Sequence, residues 1–263
     1  QFTLPAGVSD GTSISVGNTI TNFESGTWTS STLSAAQFGS FRVDGDITGT
    51  PTATSRITST TNTGSNGAPL SFISITFTGN ITDTGLTGRN GIGSFTVGAN
   101  GNGGMIVDST IVVDNTDSYD PFVGEIQQMT ASGLQGTTID ANTVGTVTIN
   151  GDVADSNIFI GARNSTSAAV QSLTVTGDWT KTALLTGLGV DSVAIDGIVS
   201  DSAVTVASGP IGSFTVGQWL GSQLSADTID SFVVKGNASR GLEGYFAADG
   251  STPSVLSLTS TTG

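Results

Sequence analysis

The heptapeptide IGSFTVG occurs twice in the chain, at 92–98 and again at 211–217. In a chain of 263 residues, an identical repeat of this length indicates that two parts of the fold need the same local structure. The heptapeptide, used as a template, identifies further, degenerate copies. They are FGSFRVDGDI from Phe38, FISITFTGNI from Phe72, IQQMTASGL from Ile126, VGTVTINGDV from Val144, VQSLTVTGDW from Val170, VDSVAIDGIV from Val190, IDSFVVKGNA from Ile229 and a partial copy, VLSLTSTTG, from Val255.

The copies share the pattern Φ-x-S-Φ-x-Φ-x-G-x-Φ, where Φ is apolar and S is usually small and polar. Between Val144 and Ile229, successive copies begin 26, 20, 21 and 18 residues apart. Two earlier intervals, Phe38 to Phe72 and Ile92 to Ile126, are 34 residues long. These longer intervals indicate insertions near 48–70 and 99–125.

The spacing within the motif is that of a β-strand, because alternate residues of a strand point to the same face. The second and third apolar positions and the glycine are therefore expected to point inward together. The first apolar position is out of phase with them, which predicts a corner between it and the rest of the motif. Glycine on an inward face is expected where a bend leaves no room for a side chain.

Short strands repeating at this period predict an all-β fold, a parallel β-solenoid of about ten coils of roughly 20 residues. A single coil cannot bury its own apolar stripe, whereas stacked coils combine their stripes into one core. Tandem β-sandwich domains are the alternative, although sandwich strands do not repeat one motif at near-constant spacing. The repeat domain is expected to cover 38–263. Residues 1–37 match the motif poorly and are predicted to be an N-terminal cap or docking segment.

Composition excludes several classes of function. The formal charge is −14, from 21 acidic and 7 basic residues, so nucleic acid is not expected as a partner. No apolar run reaches the roughly 18 residues that a membrane helix needs, so insertion into a membrane is not expected. Cysteine and histidine are both absent, which excludes disulfides, thiolate metal sites and histidine general bases. Few lysines and no cysteines are typical of an exported bacterial protein, so an extracellular or cell-surface location is predicted.

Copies such as VGTVTINGDV and VQSLTVTGDW resemble the β-solenoid repeats of large exported bacterial cell-surface proteins. The resemblance covers roughly residues 38–263. It implies a role as an adhesin, a stalk, a sheath or filament component, or a carrier of another activity. Repeats of this kind are degenerate, so the resemblance transfers no functional residues.

The densest acidic cluster is DNTDSYD, which contains Asp114, Asp117 and Asp120 and lies in the second predicted insertion. Three carboxylates with neighbouring Asn115 and Ser118 provide the oxygen ligands that Ca²⁺ prefers. A solvated loop in which Asp120 caps a helical turn explains the same residues and is the favoured interpretation. Ca²⁺ is the one cofactor that the sequence suggests, and these three aspartates are its candidate ligands.

Two further sets of residues recur at fixed places in the repeat. Asp46, Asp152 and Asp178 each follow the motif glycine, and the last two would bring like charges about 5 Å apart in stacked coils. Such charges would have to splay outward or be separated by water or a cation. The preference of Asp for turns also explains why it follows the glycine, and this interpretation is favoured. Trp179 and Trp219 share a repeat position, and burial in the core is favoured over stacking on sugar rings.

The function predicted from these patterns is that of a non-enzymatic extracellular structural protein. A solenoid rod of this kind would serve as a filament, surface-layer or stalk component, or as an adhesin. The expected partners are other copies of the chain, joined head to tail, or other cell-surface components. A carbohydrate-binding or carbohydrate-cleaving β-helix is the alternative, which makes polysaccharide a second candidate partner.

Overall fold

The computed structural model describes residues 1–60, 70–99, 103–113, 124–161, 168–247 and 254–258. Within them, two parallel sheets of 19 and 11 strands run the length of the molecule, and the described residues contain no α-helix. The prediction of a parallel β-solenoid is confirmed, and the β-sandwich alternative is wrong. No helix in this part of the chain has the length and hydropathy needed to span a membrane.

The solenoid has eleven coils, because each coil contributes one strand to the 11-stranded sheet. In chain order the strands of coils 1 to 6 are as follows, with one coil between each pair of semicolons: β1 (Phe2–Leu4) and β2 (Ser13–Val16); β3 (Ile20–Ser25), β4 (Trp28–Thr29) and β5 (Thr32–Ala35); β6 (Phe38–Val43), β7 (Ile47–Thr48) and β8 (Ser55–Ser59); β9 (Phe72–Phe77), β10 (Ile81–Thr82) and β11 (Thr84–Thr87); β12 (Gly91–Val97), β13 (Met105–Val107) and β14 (Thr110–Val113); and β15 (Glu125–Ala131), β16 (Gly133–Gln135) and β17 (Thr138–Ala141).

Coils 7 to 11 continue the same order. Their strands are β18 (Thr143–Ile149), β19 (Val153–Ala154) and β20 (Asn157–Ile160); β21 (Val170–Val175), β22 (Trp179–Thr180) and β23 (Ala183–Thr186); β24 (Val190–Ser200) and β25 (Ala203–Val206); β26 (Pro210–Leu220) and β27 (Gln223–Ala226); and β28 (Thr228–Val234), β29 (Phe246–Ala247) and β30 (Val255–Leu258). In coils 9 and 10 one long strand replaces the first two strands of the other coils.

Residues 1–37 form the first two coils of the same stack. Strand β1 pairs in parallel with β3, β3 pairs with β6, and β2 pairs with β5. The repeat therefore begins before the boundary predicted at residue 38. Its first copies escaped the motif search because coil 2 has Ser25 at an apolar position and coil 1 has a first strand of only three residues. The role of residues 1–37 as a cap or docking segment stays a prediction.

The predicted insertions are described only in part. Strands β7 and β8 occupy part of 48–70, and β13 and β14 occupy part of 99–125. Residues 61–69, 100–102 and 114–123 lie outside the described part of the chain. The third strands on either side of these gaps keep an unbroken register, since β8 pairs with β11 and β14 with β17.

The motif residues occupy the first strand of each coil in strict register. In β12, Ile92, Phe95 and Val97 are all buried, and they pair with Phe72, Ile75 and Phe77 of the preceding coil. The predicted corner after the first apolar position is wrong. That position belongs to the same strand as the others, and the ladder skips the residue between them, Gly93 in β12. This local break turns the first side chain inward without ending the strand.

The motif glycine marks the first true corner of a coil. A Cβ atom on Gly177 would clash with the backbone of Gly151 in the coil before, and one on Gly197 would clash with the carbonyl oxygen of Gly177. The predicted shortage of space is confirmed. The crowding arises between stacked backbones rather than against the core.

A second corner precedes the third strand, and in coils 2 and 4 to 10 it consists of two residues. Its first residue adopts a positive φ, as in Asp155 (φ 49°) and Asp201 (φ 50°), where the short polar side chain tolerates a left-handed backbone. Its second residue is a buried Ser or Thr, such as Thr182. Thr182 Oγ1 donates a hydrogen bond to the carbonyl oxygen of Thr180 (2.9 Å) and accepts one from the backbone N–H of Ser156 (3.2 Å).

These hydroxyls form a column inside the molecule, which we call the hydroxyl column. Each hydroxyl closes the turn of its own coil, and most accept a backbone N–H from the coil before. Its members in coils 2 to 10 are Ser31, Ser55, Thr84, Ser109, Thr137, Ser156, Thr182, Ser202 and Ser222. The corner amides are thereby satisfied where the backbone ladder is interrupted.

The interior is apolar and tightly stacked. Equivalent aromatic rings of neighbouring coils lie face to face, with centroids 5.0 Å apart for Phe23 and Phe41 and 4.8 Å apart for Phe38 and Phe72. Trp179 and Trp219 are fully buried. Their indole N–H groups donate to carbonyl oxygens of the hydroxyl column, at 3.4 Å and 3.0 Å. Burial of these tryptophans in the core is confirmed, and a role in stacking on sugars is wrong.

Candidate functional site

The three predicted calcium ligands lie outside the described residues. Asp114, Asp117 and Asp120 follow the end of β14, and the description resumes at Gly124. Calcium binding by this segment stays a prediction. Within the described part of the chain, no group of three or more acidic, histidine or cysteine side chains is arranged to hold a metal ion.

The aspartates that follow the motif glycine have a structural role at the first corner. Asp152 Oδ1 accepts a hydrogen bond from the backbone N–H of Asp178 (2.8 Å), and Asp178 Oδ1 accepts one from the N–H of Ile198 (2.8 Å). Asp46 Oδ1 accepts the N–H of Asn80 in the same way (2.7 Å). Each carboxylate thus binds an amide of the next coil, which offsets the repulsion between stacked charges. The arrangement supports the favoured corner interpretation.

Positions that recur in stacked strands form straight columns on the outer surface as well. We call these the outward columns. A small residue in one of them leaves a depression, whose two ends are the side chains at the same position in the neighbouring coils. Three depressions on the described surface each lie over a Gly or Ala of an outward column.

The first depression lies over Gly85 of β11. In its column Gly85 pairs with Arg56 on one side and with Thr110 on the other. The cavity has a volume of about 260 Å³, and the carboxylates of Asp83 and Asp108 lie at its corner edge. This depression combines one cation with two adjacent anions, so it fits neither a simple anion nor a simple cation.

A second depression lies over Gly212 of β26. Gly212 occupies the skipped position of the motif, and the residues at this position in coils 9 and 11 are Asp191 and Asp230. The cavity of about 410 Å³ is therefore flanked by two carboxylates, two coils or roughly 10 Å apart. Glycoside cleavage uses carboxylates at comparable separations, but its general acid works from a desolvated position. Both carboxylates are solvent-exposed, so we assign no catalysis to them.

We call the third depression the alanine trough. It lies on the 11-stranded sheet over Ala183 of β23 and Ala203 of β25, which are paired neighbours. The trough is closed by Asn157, which pairs with Ala183, and by Gln223, which pairs with Ala203. Its volume is about 410 Å³. Two successive small residues make it one coil longer than the depression over Gly85.

The two sides of the alanine trough differ in chemistry. At the corner margin, Lys181 and Asp201 occupy left-handed corner positions of coils 8 and 9. Two residues further along the strands, Thr205 lies beyond Ala203 and Leu185 lies beyond Ala183, and Phe159 of coil 7 pairs with Leu185. These two apolar side chains are 37% and 41% exposed, so they form an apolar ridge on the surface.

None of the three depressions is predicted by the first-strand motif. A signal was present in the third strands, where aligned copies read NIFI, ALLT, AVTV and QLSA from Asn157, Ala183, Ala203 and Gln223. The adjacent alanines in this alignment mark the trough. Recognising them requires the third-strand register, which the first-strand motif does not provide across irregular loops.

Comparison of the chain with protein-family models, with curated proteins and with solved structures finds no match.

Proposed function

We propose that the chain is a non-enzymatic extracellular structural protein, a β-solenoid rod that associates head to tail as part of a filament, surface layer, stalk or adhesin. One observation carries the proposal. In coil 11, side chains at inward positions are exposed, because no described residue stacks on that face. Phe246, Leu256 and Leu258 are 44%, 44% and 55% exposed, although their partners Trp219, Leu224 and Ala226 in coil 10 are buried.

The opposite end of the stack offers a matching surface. Phe2 of coil 1 is 39% exposed and lies in the same inward column as Phe232 of coil 11. Ile14 is only partly buried and lies in the column of Leu256. Coil 11 of one copy could thus continue onto coil 1 of another with these two columns kept in register.

Such a contact joins two different surfaces, so it propagates rather than closing into a dimer. Strand edges of coils 1 and 11 that pair with no described residue would add backbone hydrogen bonds to the apolar contact. A continuous parallel ladder resists extension and proteolysis, and the charge of −14 keeps the sides of the rod hydrated and apart. The resemblance of the repeats to exported surface proteins supports the same role and an extracellular location.

The test is assembly of the intact chain, observed by electron microscopy and by light scattering over a range of concentrations. Replacing Leu256 and Leu258 together by lysine places two charges in the proposed contact. Burying each leucine would be worth about 1.5–3 kcal/mol, so the concentration needed for assembly should rise by about 100-fold or more. The melting temperature should change little, because both side chains are already exposed.

Val233→Lys is the matched control. Val233 belongs to the same coil and is 42% exposed, but it points outward from β28, between the inward residues Phe232 and Val234. Fibres that survive the double lysine substitution, or an intact chain that stays monomeric at all concentrations, would show that the head-to-tail proposal is wrong.

A further inference from the structure

The alanine trough is a preformed surface feature on a rigid support. Its floor consists of Ala183 and Ala203, whose backbones are held in the 11-stranded sheet by parallel pairing on both sides. Asn157 and Gln223 close it three coils apart, a distance of roughly 14 Å at the spacing of parallel strands. A ligand would therefore meet fixed walls and would not have to order the protein on binding.

The polar side chains of the trough have unused hydrogen-bond donors and acceptors. The amides of Asn157 and Gln223 are exposed and make no side-chain hydrogen bond within the described part of the chain. Each amide offers one acceptor and two donors. Lys181 adds donors and Asp201 adds acceptors at the corner margin, and neither forms an ion pair with a described residue.

The apolar ridge of Phe159 and Leu185 borders the trough at its coil 7 and coil 8 end, beside Asn157 and Ala183. Exposure of these apolar side chains to water is unfavourable in the free protein, and a ligand with an apolar face would cover them. A ligand that spans both the trough and this ridge would present hydroxyl-like groups at its edges and C–H groups on a flat face. Sugar rings combine these two properties.

We propose that the alanine trough binds a short segment of a neutral polysaccharide. The ring faces would pack on Phe159 and Leu185, while the hydroxyl groups bond to the amides of Asn157 and Gln223 and to the charged pair at the corner. The proposal concerns the side of the rod, so it is independent of assembly at the ends.

Charge disfavours an acidic polysaccharide as the ligand. The protein carries a net charge of −14, and the single cation of the trough, Lys181, lies between Asp155 and Asp201 in its column of corner residues. A polyanion would meet a repulsive surface in which the one positive charge is flanked by two carboxylates.

A peptide ligand is disfavoured by the geometry of the sheet. The trough lies on the face of the 11-stranded sheet, where backbone groups are already paired with neighbouring strands on both sides. Addition of a peptide strand needs a free sheet edge. The alanine floor also lacks a deep apolar pocket that could hold an anchoring side chain.

The test measures binding of the intact chain to immobilised or dissolved neutral glucans, mannans and galactans, with a polyuronate and an unstructured peptide mixture for comparison. Filling the trough with Ala183→Asn and Ala203→Gln should lower affinity for the neutral ligand at least about tenfold. The column already accepts Asn157 and Gln223, so this variant should keep its fold. Phe159→Ala should weaken binding by a similar factor.

Thr138→Gln is the control for the filled trough, because Thr138 pairs with Asn157 in the same column but lies outside the trough. It should bind as the unaltered chain does. The proposal is overturned if no neutral glycan binds, if the filled variant binds equally well, or if the trough variants affect only the polyuronate or peptide.

Discussion

At the scale of single residues, the hydroxyl column shows how a tight corner remains stable without backbone pairing. The Thr182 hydroxyl donates a hydrogen bond within its own coil and accepts one from the coil before. Its side chain is almost fully buried, so water cannot replace either partner. A buried amide left without an acceptor costs about 1–3 kcal/mol, which makes this hydroxyl more important than its small size suggests.

Thr182→Val tests this role, because valine keeps the shape and the β-branching but removes both hydrogen bonds. The free energy of unfolding should fall by about 1–3 kcal/mol, measured by denaturant titration. Thr205→Val is the control, since Thr205 lies on the outer face of β25 and its hydroxyl bonds to no described residue. Equal stabilities of the two variants would contradict the proposed role of the column.

At the scale of elements, a strap runs back across the first corner from coil 11. We define the strap as residues 236–244, which contain a short 3₁₀ turn at Ala238–Arg240. Arg240 reaches coil 8, where its guanidinium bonds to Asp178 Oδ1 (2.9 Å) and to the carbonyl oxygen of Thr176 (3.1 Å). The Asn237 amide donates to the carbonyl oxygen of Asp196 in coil 9 (3.0 Å). The strap therefore ties coils 8, 9 and 11 together.

Removing the anchor with Arg240→Ala should open the strap without unfolding the coils. Both partners of the ion pair are about a third exposed, so the global stability should fall by no more than about 1 kcal/mol. Hydrogen exchange at the Leu242 amide, which donates within the strap, should accelerate. Arg42→Ala removes the local pair of Arg42 with Asp44 and should leave that amide unchanged. Unaltered exchange at Leu242 in the Arg240 variant would contradict an anchoring role.

The elements also show where reasoning from the sequence succeeds and where it fails. The first strands could be predicted because Ile92, Phe95 and Val97 repeat at a spacing that the core imposes on every coil. The second corner was missed because its rule constrains backbone shape, and Asp, Ser, Lys and Gly all satisfy it. The alanine trough was missed for a related reason: it is defined by side chains that are small, in a column whose alignment depends on that corner.

At the scale of the whole molecule, the interior changes character along the rod. The column that contains Phe23 and Phe41 is aromatic near both ends but holds Met129, Val147 and Leu173 in coils 6 to 8. A small apolar cavity of about 20 Å³ lies among these aliphatic residues. The middle of the rod is therefore packed less completely than its ends.

Val147→Ile should fill part of this cavity and raise the free energy of unfolding by about 0.8 kcal/mol, the value of one buried methylene group. Val193→Ile is the control, because Val193 occupies the same column two coils later but does not line the cavity. The added methylene there should be neutral or destabilising by about 1–3 kcal/mol. Thermal and denaturant unfolding of both variants measure the difference, and a less stable Val147 variant would show that the cavity cannot accept the group.

The outward columns have a consequence for any molecule that lies along the side of the rod. Because stacked coils keep strict register, equivalent surface groups occur only at whole multiples of about 4.8 Å, and the surface is a discrete lattice. A polymer with its own repeat can engage several lattice points only if the two periods are commensurate over that length. Substitution at one lattice point changes the pattern of surface groups while the core beneath stays the same. Selectivity for the length and the repeat of a bound polymer can therefore vary independently of the stability of the rod.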